Sequence, residues 1–164
     1  NRSVKKNHNK VQAMTNEELK EKVTARWPEI AIEEGTEWLT LSCGPDNFKE
    51  MALQLRNDGA LQFDYLFCMT AVDWKTHFSM VYHFTSTIHR TPLVIKVKLE
   101  KNDPAVDSVS DIWRTAEMHE REAYDLMGIS FTGHPDLRRL FMSLDHVGYP
   151  LRKDYEDAVN MIKL

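Results

Sequence analysis

The sequence predicts an α+β protein, a mainly antiparallel sheet with helices packed on one face, followed by a long irregular C-terminal extension. Three observations predict it. Apolar and polar residues alternate with period two in successive segments between residues 63 and 99. Apolar residues recur at helical spacing near residues 46–57 and 111–127. No period returns over residues 128–164, which is long for a structureless loop in a compact domain.

Helix start and stop signals define the ends of three predicted helices. Thr15 and Glu18 form the pattern of a capping box, and Pro28 closes the helix that follows. The second helix occupies about 46–57, between a Gly-Pro-Asp turn and a glycine stop. The third runs from about 111 to 127 and ends before a glycine. The predicted division is therefore an α+β domain over 1–127, frayed at 1–13, and an extended segment over 128–164.

Alternation and turn residues predict the strands. The short connections after residues 72 and 87 favour antiparallel hairpins. Residues 106–109 are predicted to be a short turn or helix. The predicted strands cover residues 30–32, 37–42, 63–72, 78–84 and 93–99.

Composition excludes several classes of function. The 164 residues fit one domain, and a net charge of -4 argues against a dedicated nucleic-acid binder. No apolar run approaches the roughly 18 residues that a membrane span needs. The polar N-terminus does not resemble a secretory signal. We therefore expect no nucleic-acid partner and no direct membrane span.

The motifs indicate no cofactor and no catalytic residue in this chain. Cys43 and Cys68 are single and far apart, whereas an iron–sulfur cluster usually takes about four thiolates. The six glycines form neither a dinucleotide fingerprint nor a P-loop. There is no nucleophile elbow. The residues by themselves indicate a non-catalytic domain with a partner-binding segment.

Glu120 stands out on the helical wheel of the third helix. It lies in the middle of the face that Trp113, Ala123 and Met127 share, whereas Glu122 points the opposite way. A carboxylate on an apolar face must be paired, hydrogen-bonded or protonated. We expect Glu120 to be buried with a structural partner; a perturbed acid in an active site is the alternative. A second alternative is a metal site formed by His119, Glu122 and His134, which do not make a recognised metal motif.

The irregular C-terminal segment is the predicted partner interface. It is rich in apolar residues that a small domain cannot cover by itself, and ordering on a partner is the alternative to disorder. Its basic pairs can bind carboxylates or partner carbonyls. The predicted interface residues are Glu120, Arg121, Asp125, Gly128, His134, Pro135, Leu137, Arg138, Arg139, Pro150, Leu151, Arg152 and Lys153.

Two runs carry a family resemblance. Residues 120–140, EREAYDLMGISFTGHPDLRRL, and residues 148–155, GYPLRKDY, closely resemble motifs of one component of respiratory complex I, the 30-kilodalton or C subunit of the proton-pumping NADH:quinone oxidoreductase. The resemblance covers roughly residues 15–155. Two positions depart from the family pattern: Met118 stands where the family usually has Trp, and Tyr149 where it usually has His.

The resemblance implies a role in a larger complex. A 30-kilodalton subunit carries no redox centre and lies in the hydrophilic arm. It packs against the D subunit, the large subunit that helps build the quinone site, and its C-terminal segment drapes over that partner. NADH, FMN, the iron–sulfur clusters and quinone would belong to other subunits. The implied location is peripheral, on the cytoplasmic side of a bacterial inner membrane or the matrix side in mitochondria.

Three alternatives to this role stay open. The first is the corresponding subunit of a membrane-bound hydrogenase or formate hydrogenlyase, which shares the signature. The second is a stand-alone metal-dependent enzyme that uses His119, Glu122 and His134. The third is an interaction module unrelated to respiration.

Overall fold

The computed structural model describes residues 13–157, so the predicted fraying of the N-terminus lies almost wholly outside the described residues. Three helices and seven strands are present in this range. The helices are α1 (Asn16–Arg26), α2 (Pro45–Asn57) and α3 (Ala116–Met127). The strands are β1 (Ala31–Glu33), β2 (Thr40–Cys43), β3 (Tyr65–Asp73), β4 (His77–Ser86), β5 (Thr91–Glu100), β6 (Ala105–Asp107) and β7 (Ser130–Thr132).

The helix signals of the sequence work locally. The Glu18 amide donates to Thr15 Oγ1 at 3.2 Å, and the Thr15 amide donates to Glu18 Oε2 at 2.9 Å, which completes the capping box. Pro45 occupies the first turn of α2, where its missing N–H costs nothing. Gly128 ends α3 in the left-handed conformation, with φ of 67°.

Five strands form one sheet in the order β1-β2-β5-β4-β3. The two predicted hairpins are confirmed, because β3 pairs with β4 and β4 with β5 in antiparallel register. Strand β2 pairs with β5 in parallel, so the sheet is mixed at this one junction. The sequence between β2 and β5 includes a whole hairpin, and no local pattern indicates which strand β2 will join.

The core lies on one face of the sheet. Phe78, Met80, Tyr82 and Phe84 alternate along β4 and are fully buried. The Phe48 ring of α2 lies 4.4 Å from the Tyr82 ring, centre to centre. Buried side chains of α1 and α3 join the same cluster, so all three helices pack on this face.

Two local predictions were wrong. Residues 105–107 form β6 rather than a turn or helix, and pair in parallel with β7, which lies inside the segment predicted to be irregular. Such short strands show no detectable period, and β6 forms because Val106 and Phe131 are buried together in the core. Helix α3 begins at Ala116 rather than near residue 111. The preceding turn is held by Trp113, whose indole Nε1–H donates to the Phe63 carbonyl at 2.9 Å.

None of the helices in the described part of the chain is long and apolar enough to cross a membrane.

Removing the hydroxyl of Tyr82 by substitution tests how the core is packed around it. It is fully buried, and no hydrogen-bond partner reaches it among residues 13–157. A buried unpaired hydroxyl costs about 1–3 kcal/mol. We therefore expect Tyr82→Phe to leave the free energy of unfolding unchanged or raise it, in urea denaturation. The control Tyr82→Ala also removes the ring against Phe48 and should cost about 3–5 kcal/mol. A clear loss of stability in Tyr82→Phe would mean that the hydroxyl has a partner.

Candidate partner interface

Glu120 is buried at the centre of the contact between α3 and the segment after β6. Its carboxylate accepts hydrogen bonds from the Ser108 hydroxyl at 2.6 Å and from the Val109 amide at 2.8 Å. Burial raises the pKa of Glu120, and the two hydrogen bonds offset only part of that shift. The expected burial with a backbone amide as partner is confirmed, so the structure uses Glu120 to tie residues 108–109 to α3.

His134 connects the start of the C-terminal segment to the same helix. Its buried ring accepts a hydrogen bond from the Asp136 amide at Nδ1, at 3.0 Å. Nε2 therefore carries the proton in this arrangement and lies 3.0 Å from the Glu117 carbonyl, to which it can donate. The same nitrogen lies 3.9 Å from Glu120 Oε2. Both ring nitrogens thus face groups of the chain itself.

Asp125 holds the next part of the segment. One carboxylate oxygen, Oδ2, accepts hydrogen bonds from three successive amides, those of Leu140, Phe141 and Met142, at 2.9, 2.6 and 2.9 Å. The other, Oδ1, accepts from Arg139 Nη1 at 2.9 Å. Burial by itself would raise the pKa of Asp125, but these donors outweigh it and lower the pKa. The carboxylate therefore fixes the backbone of residues 139–142 against α3.

Arginine side chains satisfy the carbonyls that the segment turns inward. Arg121 donates to the Arg138 and Arg139 carbonyls, each at 3.2 Å. Arg139 donates onward to the carbonyls of His146 at 3.1 Å and Gly148 at 3.2 Å. The guanidinium fork suits such convergent acceptors. These contacts are within the chain, and the expected contacts of the same arginines with a partner stay a prediction.

Arg152 closes the segment against the end of α3. Its Nε donates to the Met127 carbonyl at 2.7 Å and its Nη2 to the Gly128 carbonyl at 3.2 Å. The guanidinium carbon also lies 4.5 Å from the centre of the Tyr149 ring. A Cβ atom on Gly128 would lie 2.5 Å from both Arg152 Nη2 and a Tyr149 ring carbon. Gly128 is thus required by its conformation and by this close approach.

Asp73 is a buried anchor that the sequence analysis missed. It accepts hydrogen bonds from the Lys75 amide at 2.7 Å, Lys101 Nζ at 2.8 Å and the Lys153 amide at 2.9 Å. These donors outweigh the effect of burial and lower the pKa of Asp73 to about 2. An aspartate at the start of the β3–β4 turn is a signal for local capping. Its contact with Lys153, 80 residues away, leaves no sequence signal.

With these polar groups turned inward, the segment exposes apolar side chains. Phe141 and Leu151 are each 60% exposed, Leu144 is 87% exposed and Val147 is 86% exposed. We call these four residues the outer patch. Of the predicted interface residues, Pro135, Arg138 and Lys153 are exposed, and Leu137 and Pro150 are half-buried. Arg138 forms an exposed ion pair with Asp136.

The proposed metal ligands do not converge. Glu122 is exposed on α3, while both ring nitrogens of His134 face backbone groups. Within residues 13–157, no three His, Cys, Asp or Glu side chains are placed to hold a metal ion. Cys43 and Cys68 are free thiols in this range, and burial raises the pKa of Cys43 to about 12.

Fold and site define an α+β domain whose C-terminal segment is held down by buried charged side chains. The model of the respiratory-chain NADH dehydrogenase 30 kDa subunit family matches residues 41–159. The chain belongs to this family.

Curated relatives agree with the family match. The C subunit of NADH-quinone oxidoreductase from Chloroherpeton thalassium is 46% identical over 68% of this chain, and the match spans 47% of that protein. The C subunit from Roseiflexus sp. is 39% identical over 71% of the chain and 68% of its own length. A C/D subunit from Phocaeicola vulgatus is 42% identical over 73% of the chain, but the match spans only 23% of that protein. The chain thus spans about half or less of two of these relatives.

Two solved structures share the fold. A trypsin-resistant fragment of Nqo5, residues 1–134, superposes with a TM-score of 0.64 at 30% identity, covering 74% of this chain and 98% of the fragment. A chain of a membrane-bound sulfane sulfur reductase, described as an archaeal respiratory membrane complex, superposes with a TM-score of 0.72 at 24% identity, covering 85% of each chain. The second likeness shows the fold alone.

The buried carboxylate of Glu120 can be tested by two substitutions. Glu120→Gln keeps an acceptor for the Val109 amide, and its NH2 group can donate to the Ser108 hydroxyl oxygen. It removes the buried charge, so we expect equal or higher stability at pH 7. Glu120→Ala leaves the Val109 amide without an acceptor, at about 1–3 kcal/mol, whereas the Ser108 hydroxyl can still donate to Ser110 Oγ. Because the folded pKa is raised, wild-type stability should fall as pH rises above the unfolded pKa of about 4.3, and Glu120→Gln should lack this slope.

Urea denaturation between pH 4 and 8 measures these differences. The exposed Glu122→Ala is the matched control on the same helix, and should change stability by less than about 0.5 kcal/mol. Equal losses in Glu120→Gln and Glu120→Ala would contradict the assigned role of the carboxyl group.

Asp125 should control the order of the segment. Asp125→Asn removes the negative charge that Arg139 and three amides share, and breaking a buried pair costs about 3–5 kcal/mol. We expect the amides of residues 140–142 to lose hydrogen-exchange protection while β4 keeps its own. Because the folded pKa is lowered, this stabilisation is complete above the unfolded pKa of about 3.9 and is lost as pH falls through the folded value. Asp136→Asn, at an exposed pair, should leave these amides protected.

Proposed function

We propose that this chain is a non-catalytic structural subunit of the hydrophilic arm of a proton-pumping NADH:quinone oxidoreductase, and that its C-terminal segment docks on the quinone-site D subunit. The main observation in support of this proposal is that the segment has a polar side and an apolar side. Its polar groups are bound to α3 through Asp125, Arg121 and Arg139, while Phe141, Leu144 and Val147 of the outer patch face away from the domain. Apolar side chains held outward on a fixed backbone suit a protein partner.

The use of the buried charges supports a structural role. Glu120, Asp125 and Arg139 each bind groups of the chain itself, and the carboxylates point at amides and a hydroxyl rather than at a cleft. A general acid or base must instead reach a substrate proton. In the proposed complex, NADH, FMN, the iron–sulfur clusters and quinone are bound by other subunits.

The choice of the quinone-site subunit as partner has support from one relative. The Phocaeicola vulgatus protein is named as a C/D subunit, so one chain there bears both designations. A fused pair keeps its two parts at high effective concentration, which suits parts that contact each other. We place the chain peripherally in that complex, at the cytoplasmic face of the membrane, or at the matrix face in a mitochondrion.

Charge introduced into the outer patch tests the docking. Leu144→Asp/Val147→Asp should reduce co-purification of the quinone-site subunit with the tagged chain at least tenfold and abolish incorporation into the membrane-bound complex. Neither side chain is buried, so the melting temperature of the isolated chain should stay within a few degrees. The measurement is mass spectrometry of proteins captured from the chain's own host, together with NADH-driven quinone reduction by its membranes.

The matched control is Leu53→Asp/Ile88→Asp, which places two charges at exposed apolar positions away from the segment, 42% and 48% exposed. It should assemble normally. Normal assembly of the Leu144→Asp/Val147→Asp variant would refute docking through the outer patch. Co-purification with hydrogenase subunits would instead identify the alternative complex.

A further inference from the structure

Strand β3 presents an unpaired edge. It is the last strand of the sheet, and only β4 pairs with it among residues 13–157. The Trp74 amide donates to the His77 carbonyl, which fixes the alternation of the antiparallel ladder. By that alternation, the N–H and C=O groups of Met69 and Ala71 point away from β4. No hydrogen bond within residues 13–157 reaches them.

This edge is protected only in part: α3 and Leu151 lie beside it and Met69 is 4% exposed, but no strand covers it within residues 13–157. Natural sheets blunt their edges with short strands, lysine, proline or bulges. At the opposite edge, β1 has only three residues. The irregularity between Leu66 and Cys68 disturbs only the first part of β3. Residues 69–72 are Met-Thr-Ala-Val, with no charge, no proline and regular register. Such a strand is a template for another strand.

A groove beside this edge indicates which side chains an added strand would carry. Residues of α3 line it, together with Leu151 of the C-terminal segment. The apolar lining is Met69, Ala71, Ala123, Leu126, Met127 and Leu151. Glu122 also lines the groove, is exposed, and makes no ion pair with any residue between 13 and 157. The groove therefore suits an apolar side chain next to a positive charge.

We propose that the edge of β3 receives an extended segment of a partner protein as a sixth strand. The added backbone pairs with the free groups of Met69 and Ala71, one apolar side chain enters between Leu126 and Leu151, and a Lys or Arg faces Glu122. Main-chain hydrogen bonds supply affinity in such strand addition, and the pockets for alternate side chains supply specificity. This strand addition goes beyond the docking proposed above and needs no contact at Phe141, Leu144 or Val147.

Hydrogen exchange resolved to single residues tests the strand directly. The samples are the isolated full chain and the native complex captured from its host through a tag on the chain. The amides of Met69 and Ala71 should exchange rapidly in the isolated chain and roughly 100-fold more slowly in the complex. The amide of Met80 on β4 should be protected in both.

Ala71→Pro is the matching variant. Ala71 and Met80 form a non-hydrogen-bonded pair, so proline at 71 removes the outward donor and leaves the ladder to β4 intact. It should lower capture of the partner at least tenfold, as should Glu122→Lys. Leu53→Asp/Ile88→Asp, which lies away from this edge and keeps the Ala71 donor, should capture normally. If Ala71→Pro does not fold, hydrogen exchange of the wild-type protein tests strand addition without it.

Each remaining outcome overturns the proposal. Equal, rapid exchange of Met69 and Ala71 in the chain and in its complex would show that no strand is added there. Protection already present in the isolated chain would mean that the edge is covered within the chain, or by a second copy if light scattering reports a dimer. Loss of docking in Leu144→Asp/Val147→Asp with unprotected β3 amides would support the proposed function while refuting strand addition. Failure to capture any partner would refute both.

Discussion

The need to satisfy backbone hydrogen bonds in an irregular segment is the constraint on which the rest of this structure depends. After β7 the chain continues to residue 157 without a helix or strand, so its amides and carbonyls must find partners elsewhere. Charged side chains provide them. Asp125 accepts from three successive amides, and Arg121, Arg139 and Arg152 donate to carbonyls. Side-chain hydrogen bonds thereby join a helix to a loop, as backbone hydrogen bonds join two strands in a sheet.

This arrangement decides which side chains face outward. Because the polar groups of the segment turn toward α3, its aliphatic and aromatic side chains are left on the other side, in the outer patch. Burying charges costs several kcal/mol per ion unless each is fully paired. That cost is offset here because both oxygens of Asp125 accept hydrogen bonds. The result is a fixed apolar surface, which loses less conformational entropy on binding than a free segment would.

Two carboxylates of α3 show how burial and hydrogen-bond donors together set the pKa. Glu120 accepts hydrogen bonds from one hydroxyl and one amide. The effect of burial exceeds the effect of these two bonds, so the pKa of Glu120 rises. Asp125 accepts hydrogen bonds from three amides and a guanidinium. The effect of these bonds exceeds the effect of burial, so the pKa of Asp125 falls. Opposite shifts on neighbouring turns are typical of acid and base pairs in active sites. Here each carboxylate faces groups of its own chain, and the shifts report on folding.

The sequence by itself determined the capped helices, the strands with long alternation, both hairpins and the burial of Glu120, because each depends on residues close together in the chain. The family resemblance also rests on local runs, those around Glu120 and Tyr149. Only the tertiary structure decided the parallel pairing of β2 with β5, the β6–β7 pair, and the role of Asp73. It also decided that Arg139 and Arg152 bind their own backbone. These contacts join residues far apart in sequence, where three-residue strands and single side chains leave no periodic signal. A buried arginine finds its acceptors only after the chain has folded around it.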